Sequence, residues 1–151
     1  MKPPVGEKAE TVADRDVLII DDEASVGELL EQYSMQYGWR AESAVSQYDG
    51  LDMLARNHHD LVFLDIVMPG MNVLDMISRI REISVGSEII LMSGRIHDER
   101  FISAIKILGI YGFVKKPFSI ENLSHFLADD IHGGRSTGSS NPRKDDLKLK
   151  E

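Results

Sequence analysis

Five short apolar runs separated by amphipathic stretches organise this chain from Asp16 to about His132. The runs are Val17–Ile20, Arg40–Ala44, Leu61–Leu64, Glu88–Met92 and Tyr111–Val114. Four are continuous enough to be strands buried on both faces, as in a parallel sheet. Arg40–Ala44 is mixed in character and suits an edge. Between them the spacing of apolar residues predicts helices. Glu23–Tyr37 sets Val26, Leu29, Leu30, Tyr33 and Tyr37 on one face, and Gly38 stops it. Ser46 caps a second helix that runs to Arg56 with Leu51, Leu54 and Ala55 inward. Val73–Ile83 turns Leu74, Ile77, Ile80 and Ile83 inward. His97–Leu108 is unusually apolar and ends at Gly109, and Ser119 caps a last helix carrying Leu123, Phe126 and Leu127. Strand and helix in alternation predict an α/β domain, an open parallel sheet with helices on both faces and right-handed crossovers.

The flanks read differently. Residues 1–14 are a polar leader, residues 15–132 the domain, and residues 133–151 a linker or tail that opens with Gly133-Gly134-Arg135-Ser136-Thr137-Gly138. A second domain following that linker in a longer chain is one expectation, and a stand-alone domain the other. The chain has no cysteine, which removes disulfides, thiolate metal sites and a Cys nucleophile. No apolar run is long enough to span a bilayer and no signal-peptide core is present, so the reading is cytoplasmic, with no membrane partner. Net charge is -8, from 17 Lys and Arg against 25 Asp and Glu. The tail has five basic against three acidic residues, which leaves the rest near -10. A body of that charge is not expected to bind nucleic acid through its own field.

The candidate chemistry sits where the strands end. Val17–Ile20 is followed by Asp21-Asp22-Glu23, Leu61–Leu64 by Asp65, Ile89–Met92 by Ser93-Gly94, and Tyr111–Val114 by Lys115-Lys116-Pro117-Phe118. In open α/β sheets, ligands lie at the carboxyl ends of the strands near a topological switch point. A carboxylate ending a buried strand is kept there when it is paired, bound to a cation or used. Asp21, Asp22 and Asp65 in a small volume repel one another unless one is protonated or a cation neutralises them. All-oxygen ligation points to Mg²⁺, whose shell is commonly completed by water and a phosphate oxygen. Lys116 and the Ser93 hydroxyl suit the remaining phosphoryl oxygens. Asp65 is then the candidate nucleophile, by way of an aspartyl phosphate.

With Asp21-Asp22, the stretch Leu64-Asp65-Ile66-Val67-Met68-Pro69-Gly70-Met71, Ser93-Gly94 and Lys116-Pro117-Phe118 in this order, the chain resembles the receiver domain of two-component response regulators. The chemotaxis regulator is the single-domain example of that family. The resemblance covers Asp16 to about Ile131. It implies a flavodoxin-like (βα)5 sheet in the strand order 2-1-3-4-5. It implies that Asp65 takes a phosphoryl group from the phosphohistidine of a sensor histidine kinase or histidine phosphotransfer protein. Asp22 and Asp65 would bind Mg²⁺, Asp21 would reach it through water, and the Val67 backbone carbonyl would add an oxygen. Ser93 and Lys116 would grip the phosphoryl group, and Ser93 with the Phe113 rotamer would be the switch. A cis Lys116-Pro117 bond is implied as well. The fourth helix, fifth strand and fifth helix, roughly residues 98–127, would meet a downstream partner or a second copy of the chain. Such a domain catalyses its own phosphorylation and is not an enzyme in the metabolic sense.

Departures from the pattern are local. Asn72-Val73 stands where the family often has Asp-Gly. The variable positions two residues beyond Asp65 and Ser93 are Val67 and Arg95. A valine cannot orient an attacking water, and Arg95 can cover the phosphoryl group, so slow self-dephosphorylation is expected. Other readings fit less of the chain. A haloacid-dehalogenase-type phosphatase needs a second Asp two residues after the nucleophile, where Val67 stands. A pseudo-receiver that only binds partners usually lacks an acid or the lysine, and this chain keeps them all. A flavin-binding relative would want a phosphate loop where Asp21-Asp22-Glu23 stand. Lys115 reads as solvated, His58-His59 as the end of a helix, and His97, His125 and His132 show no ligand spacing.

Overall fold

The computed structural model describes residues 15–95 and 97–128; the expected leader, linker and tail, and residues 129–132, lie outside them. Strands β1 (Asp16–Ile20), β2 (Arg40–Ala44), β3 (Leu61–Asp65), β4 (Glu88–Ser93) and β5 (Gly112–Lys115) form one parallel sheet in the order β2-β1-β3-β4-β5. Helices α1 (Ala24–Gln36), α2 (Gln47–Arg56), α3 (Val73–Ile83), α4 (Glu99–Ile107) and α5 (Ile120–Ala128) connect and follow them. This is the expected flavodoxin-like topology, with the mixed strand β2 at an edge. Among the described residues no helix is long and apolar enough to cross a membrane.

Alternate residues of the buried strands feed two cores. Val17, Ile19, Leu61, Phe63, Ile90, Met92 and Val114 pack with Leu30 of α1 and Leu123, Phe126 and Leu127 of α5. Leu18, Ile20, Val62, Leu64, Ile89 and Leu91 pack on the other face with Leu51 and Leu54 of α2, Met76, Ile77 and Ile80 of α3, and Ile105 of α4. Gly112 is needed for one approach: a Cβ there would collide with the Phe126 ring. Trp39 is buried between α1 and β2, and its indole N–H donates to the Leu127 carbonyl at 2.7 Å. Trp39→Phe removes that hydrogen bond and leaves a void beside α5. The loss of stability expected is about 2 kcal/mol, read by urea unfolding followed by circular dichroism.

Several facings differ from the periodicity. Leu74 and Leu29 are exposed, and Met76 is fully buried. Ala55 is exposed too. The inner stripe of α1 is Gly27, Leu30 and Ser34, because a small residue at Gly27 lets the helix approach Ser43 of β2. In α3 the unbranched Met76 reaches the core where the spacing pointed to Leu74. Ser46 caps α2, accepting from the Asp49 amide. Ser119 does not cap α5 through its hydroxyl: the Asn122 side chain reaches back to accept from the Ser119 amide and hydroxyl. Helix α4 starts two residues later than expected, because Asp98 takes the cap and accepts from the Phe101 amide at 2.9 Å. That leaves His97 outside the helix. His58 and His59 also lie outside a helix, since α2 stops at Arg56. His59 is buried at the far end of the sheet, its Nε2 2.8 Å from Glu42.

Candidate functional site

The parallel register staggers the strand ends so that their terminal residues converge. Ile20 lies beside Leu64, Asp65 beside Met92, and Ser93 beside Lys115. The next residue after β1 is Asp21, and the next after β5 is Lys116. Carboxylate oxygens of Asp21, Asp22 and Asp65 all lie within 4.8 Å of one another. Asp21 and Asp65 are buried, whereas Asp22 is exposed at the rim. The Lys116 Nζ donates to Asp21 Oδ2 at 2.6 Å and to Asp65 Oδ2 at 3.4 Å, and Glu23 lies 3.7 Å away. The Lys116-Pro117 bond is cis, as the resemblance implied. Lys115 points to solvent.

Each side chain has a local reason for its place. Asp21 accepts from the Glu23 amide at 2.9 Å and Asp65 from the Val67 amide at 3.0 Å, so both acids fold the chain into a turn where the strand ends. Neither Asp22 nor Glu23 caps α1 with its side chain; Glu23 is the cap residue and makes no such bond. The loop after β3 is held from across the sheet. Gln47, buried at the start of α2, donates to the Met71 carbonyl at 2.9 Å and accepts from the Met71 amide at 2.7 Å. Gly70 has φ +116°, and a Cβ there would collide with the Gln47 amide. Asn72 caps α3 by accepting from the Asp75 amide, which accounts for an Asn at that departure from the family pattern.

The electrostatics are unbalanced. Burial pushes the Asp65 carboxyl up; the Val67 amide offsets part of this, the Asp21 charge adds to it and Lys116 opposes it, leaving it above the ordinary carboxylate range. Burial alone would lower the Lys116 ammonium, but its hydrogen bond to Asp21 and the charges of Asp21 and Asp65 hold it above the ordinary lysine range. One ammonium therefore faces three carboxylates. An oxygen-only cluster with surplus negative charge fits a hard divalent cation such as Mg²⁺.

The other predicted residues surround this cluster without touching it in the same way. Ser93 is fully buried and its hydroxyl is 2.8 Å from His97 Nε2, while it accepts from the Arg95 amide at 3.0 Å. Val67, partly exposed, and Arg95 share an open hollow of about 410 Å³ with Met68, His97 and Phe101. Phe113 is half-buried in β5, edge-on to the His97 ring with centroids 5.8 Å apart. Gln47 and His97 are the residues the sequence reading missed. Nothing local marks Gln47, since its partner is 24 positions away. The four-residue step from Ser93 to His97 was the signal available for the second.

The family model for the response regulator receiver domain matches residues 17–128. This chain belongs to that family. It is 32% identical over 124 residues to the autoinducer 1 sensor kinase/phosphatase LuxN of Vibrio harveyi, covering 82% of this chain and 14% of that protein. It is 28% identical over 107 residues to sporulation initiation phosphotransferase F of Bacillus subtilis, covering 71% of this chain and 86% of that protein. A solved structure of the response regulator TrrA of Thermotoga maritima, in complex with Mg(2+)-BeF, superposes with a TM-score of 0.64 at 26% identity, covering 75% of this chain and 96% of that one. The receiver domain is a signalling module of two-component systems rather than a metabolic enzyme. The chain spans 14% of the length of LuxN and about half the length of other curated relatives it matches.

Proposed function

We propose that this receiver domain is a phosphorylation-driven switch in which Asp65 accepts a phosphoryl group from the phosphohistidine of a sensor histidine kinase or histidine phosphotransfer protein. The observation that carries the reading is the cluster itself: three carboxylates within 4.8 Å, two of them hydrogen-bonded to Lys116. Asp65 Oδ attacks phosphorus, the P–N bond to the donor histidine breaks with its electron pair passing to the ring, and, because the other ring nitrogen of the phosphohistidine is protonated, the leaving group is neutral imidazole. Asp22, Asp65, the Val67 carbonyl and, through water, Asp21 would hold Mg²⁺. When bound, that ion neutralises surplus carboxylate charge and the charge on the transferring group. Lys116, already placed between Asp21 and Asp65, moves its ammonium to the new phosphoryl oxygens. Ser93 supplies a hydroxyl donor, and catalysis is mostly alignment and charge neutralisation.

The output follows from position. Ser93 and Phe113 lie on adjacent strands that lead to α4 and α5, so regrouping around a phosphoryl oxygen shifts the population of the α4-β5-α5 face. Ile107 of α4 is 83% exposed and is a natural contact for a downstream protein, an output domain beyond residue 133 or a second copy. A cytoplasmic setting accords with the kinase partner. The test is intact mass after incubation with acetyl phosphate and Mg²⁺. One added phosphoryl group, lost when EDTA replaces Mg²⁺, is the result expected; a folded protein that stays unmodified with acetyl phosphate and with phosphohistidine donors overturns the reading.

The lifetime of the phosphorylated form is a separate prediction. Val67 offers no group to orient a water, and Arg95 shares its hollow. The phosphoryl group should therefore persist for many minutes, and Val67→Glu, which adds a water-orienting carboxylate, should shorten its life. Decay within seconds in the wild type contradicts this.

A further inference from the structure

The Ser93 hydroxyl already has two polar neighbours. Ser93 Oγ accepts from the Arg95 amide at 3.0 Å and lies 2.8 Å from His97 Nε2. A serine hydroxyl has one proton to donate. The oxygen keeps a second lone pair beside the one that takes the Arg95 N–H, so the ring tautomer sets the direction of the remaining bond: with the ring proton on Nδ1 it runs from Ser93 O–H to Nε2. Burial pushes the His97 imidazole down, and the Arg95 charge adds to this against Asp98, so the neutral ring prevails near neutral pH. The ring is also fixed from two sides. It stacks on Phe101 of α4 with centroids 4.4 Å apart, and its other contact is the edge of Phe113 at 5.8 Å.

We infer that His97 carries its ring proton on Nδ1 and is a positioning residue that restrains the switch: it competes with the phosphoryl group for the Ser93 proton and ties that competition to Phe101 and Phe113. The inference rests on the reading of Asp65 as phosphoacceptor. For Ser93 to donate to a phosphoryl oxygen, its hydroxyl must turn away from Nε2. His97 then loses the bond that holds its ring in place between Phe101 and Phe113. The cost of breaking the Ser93–His97 bond is charged against activation, and the freed ring passes the change to α4. This makes the wild type harder to switch on than a receiver with no acceptor at this position.

The test uses Mg²⁺ and beryllofluoride as the phosphoryl stand-in, with affinity measured by calorimetry on the full chain. His97→Phe retains an aromatic ring for the stack and removes the acceptor. It should bind beryllofluoride about 5-fold more tightly, the factor expected for one neutral hydrogen bond. In a Ser93→Ala background the same substitution should change nothing, a difference that a merely structural role for His97 would not produce. Unchanged or weaker binding by His97→Phe, or an equal gain without Ser93, overturns the inference while leaving the phosphoacceptor reading intact. No binding by the wild type overturns both. Imidazole ¹⁵N shifts of the unmodified protein give a check that needs no variant. Nε2 should report an acceptor that loses its hydrogen bond when beryllofluoride is added, and an Nε2 that carries the ring proton throughout contradicts the arrangement.

Discussion

Asp65→Asn takes up no phosphoryl group from acetyl phosphate, and in metal-free buffer at neutral pH it melts higher than the wild type. The first effect follows from removing the nucleophile. The second follows from where Asp65 sits. Its carboxyl is almost wholly buried beside Asp21, and burial together with that neighbour holds it above the ordinary range. A carboxyl whose value is raised by folding favours the folded state below its unfolded value and loses that contribution as pH rises through the folded one. As pH rises towards neutral that contribution falls away, and the amide, which has no charge to bury, is spared the loss while still able to accept from the Val67 amide. A gain of about 1 kcal/mol, or about 4 °C in melting temperature, is expected. The gap should shrink on acidification and close below about pH 3.9, where Asp65 is neutral in both states. Adding Mg²⁺ should raise the wild type by more than the variant, because ligand binding stabilises in proportion to its affinity and the variant has lost a charged ligand. A variant that melts lower than the wild type at neutral pH without metal contradicts this account.

Lys116→Met has the opposite sign. Among the described residues, the Lys116 ammonium is the one cation placed among Asp21, Asp65 and, more distantly, Glu23. Removing it leaves a fully buried Asp21 side chain with its charge uncompensated, and truncating one member of a buried pair costs about 3 kcal/mol. Saturating Mg²⁺ should restore much of that loss, since a cation again faces the acids, and the metal should bind more tightly than it does to the wild type. Phosphoryl uptake should nevertheless fall steeply, because the point charge for the phosphoryl oxygens is gone. Thermal melts with EDTA and with Mg²⁺, alongside intact mass, separate these effects. Full stability without metal would show that the ion pairs carry little of the fold.

The sheet was legible in the sequence because both-face burial leaves unbroken apolar runs, and each run is punctuated by the residues that now face one another: Asp21 and Asp22 after β1, Asp65 at the end of β3, Lys116 after β5. Convergence of strand ends is a property of parallel topology, so order along the chain was enough to bring these side chains together. Helix facings were less legible. Leu74 and Met76 are both apolar, and only packing against the neighbouring helix decides that the flexible methionine goes in. His97 was hidden by its apolar surroundings, which extended the helical pattern over a residue that Asp98 excludes by capping. Once outside the helix, its ring turns to Ser93. Gln47 was hidden because its role is a backbone clasp on Met71, a contact that no local pattern encodes. His59 read as the end of a helix and is instead outside one, buried against Glu42.

The most direct test of the central claim is to locate the phosphoryl group. Protein incubated with acetyl phosphate and Mg²⁺ is reduced with borohydride, which converts an acyl phosphate to an alcohol and an aspartyl phosphate to homoserine, and its peptides are then sequenced by mass spectrometry. The account predicts homoserine at position 65 and nowhere else, dependent on Mg²⁺. Homoserine at position 21 or 22 with Asp65 unchanged, or phosphate held on a serine or histidine that resists reduction, would contradict it.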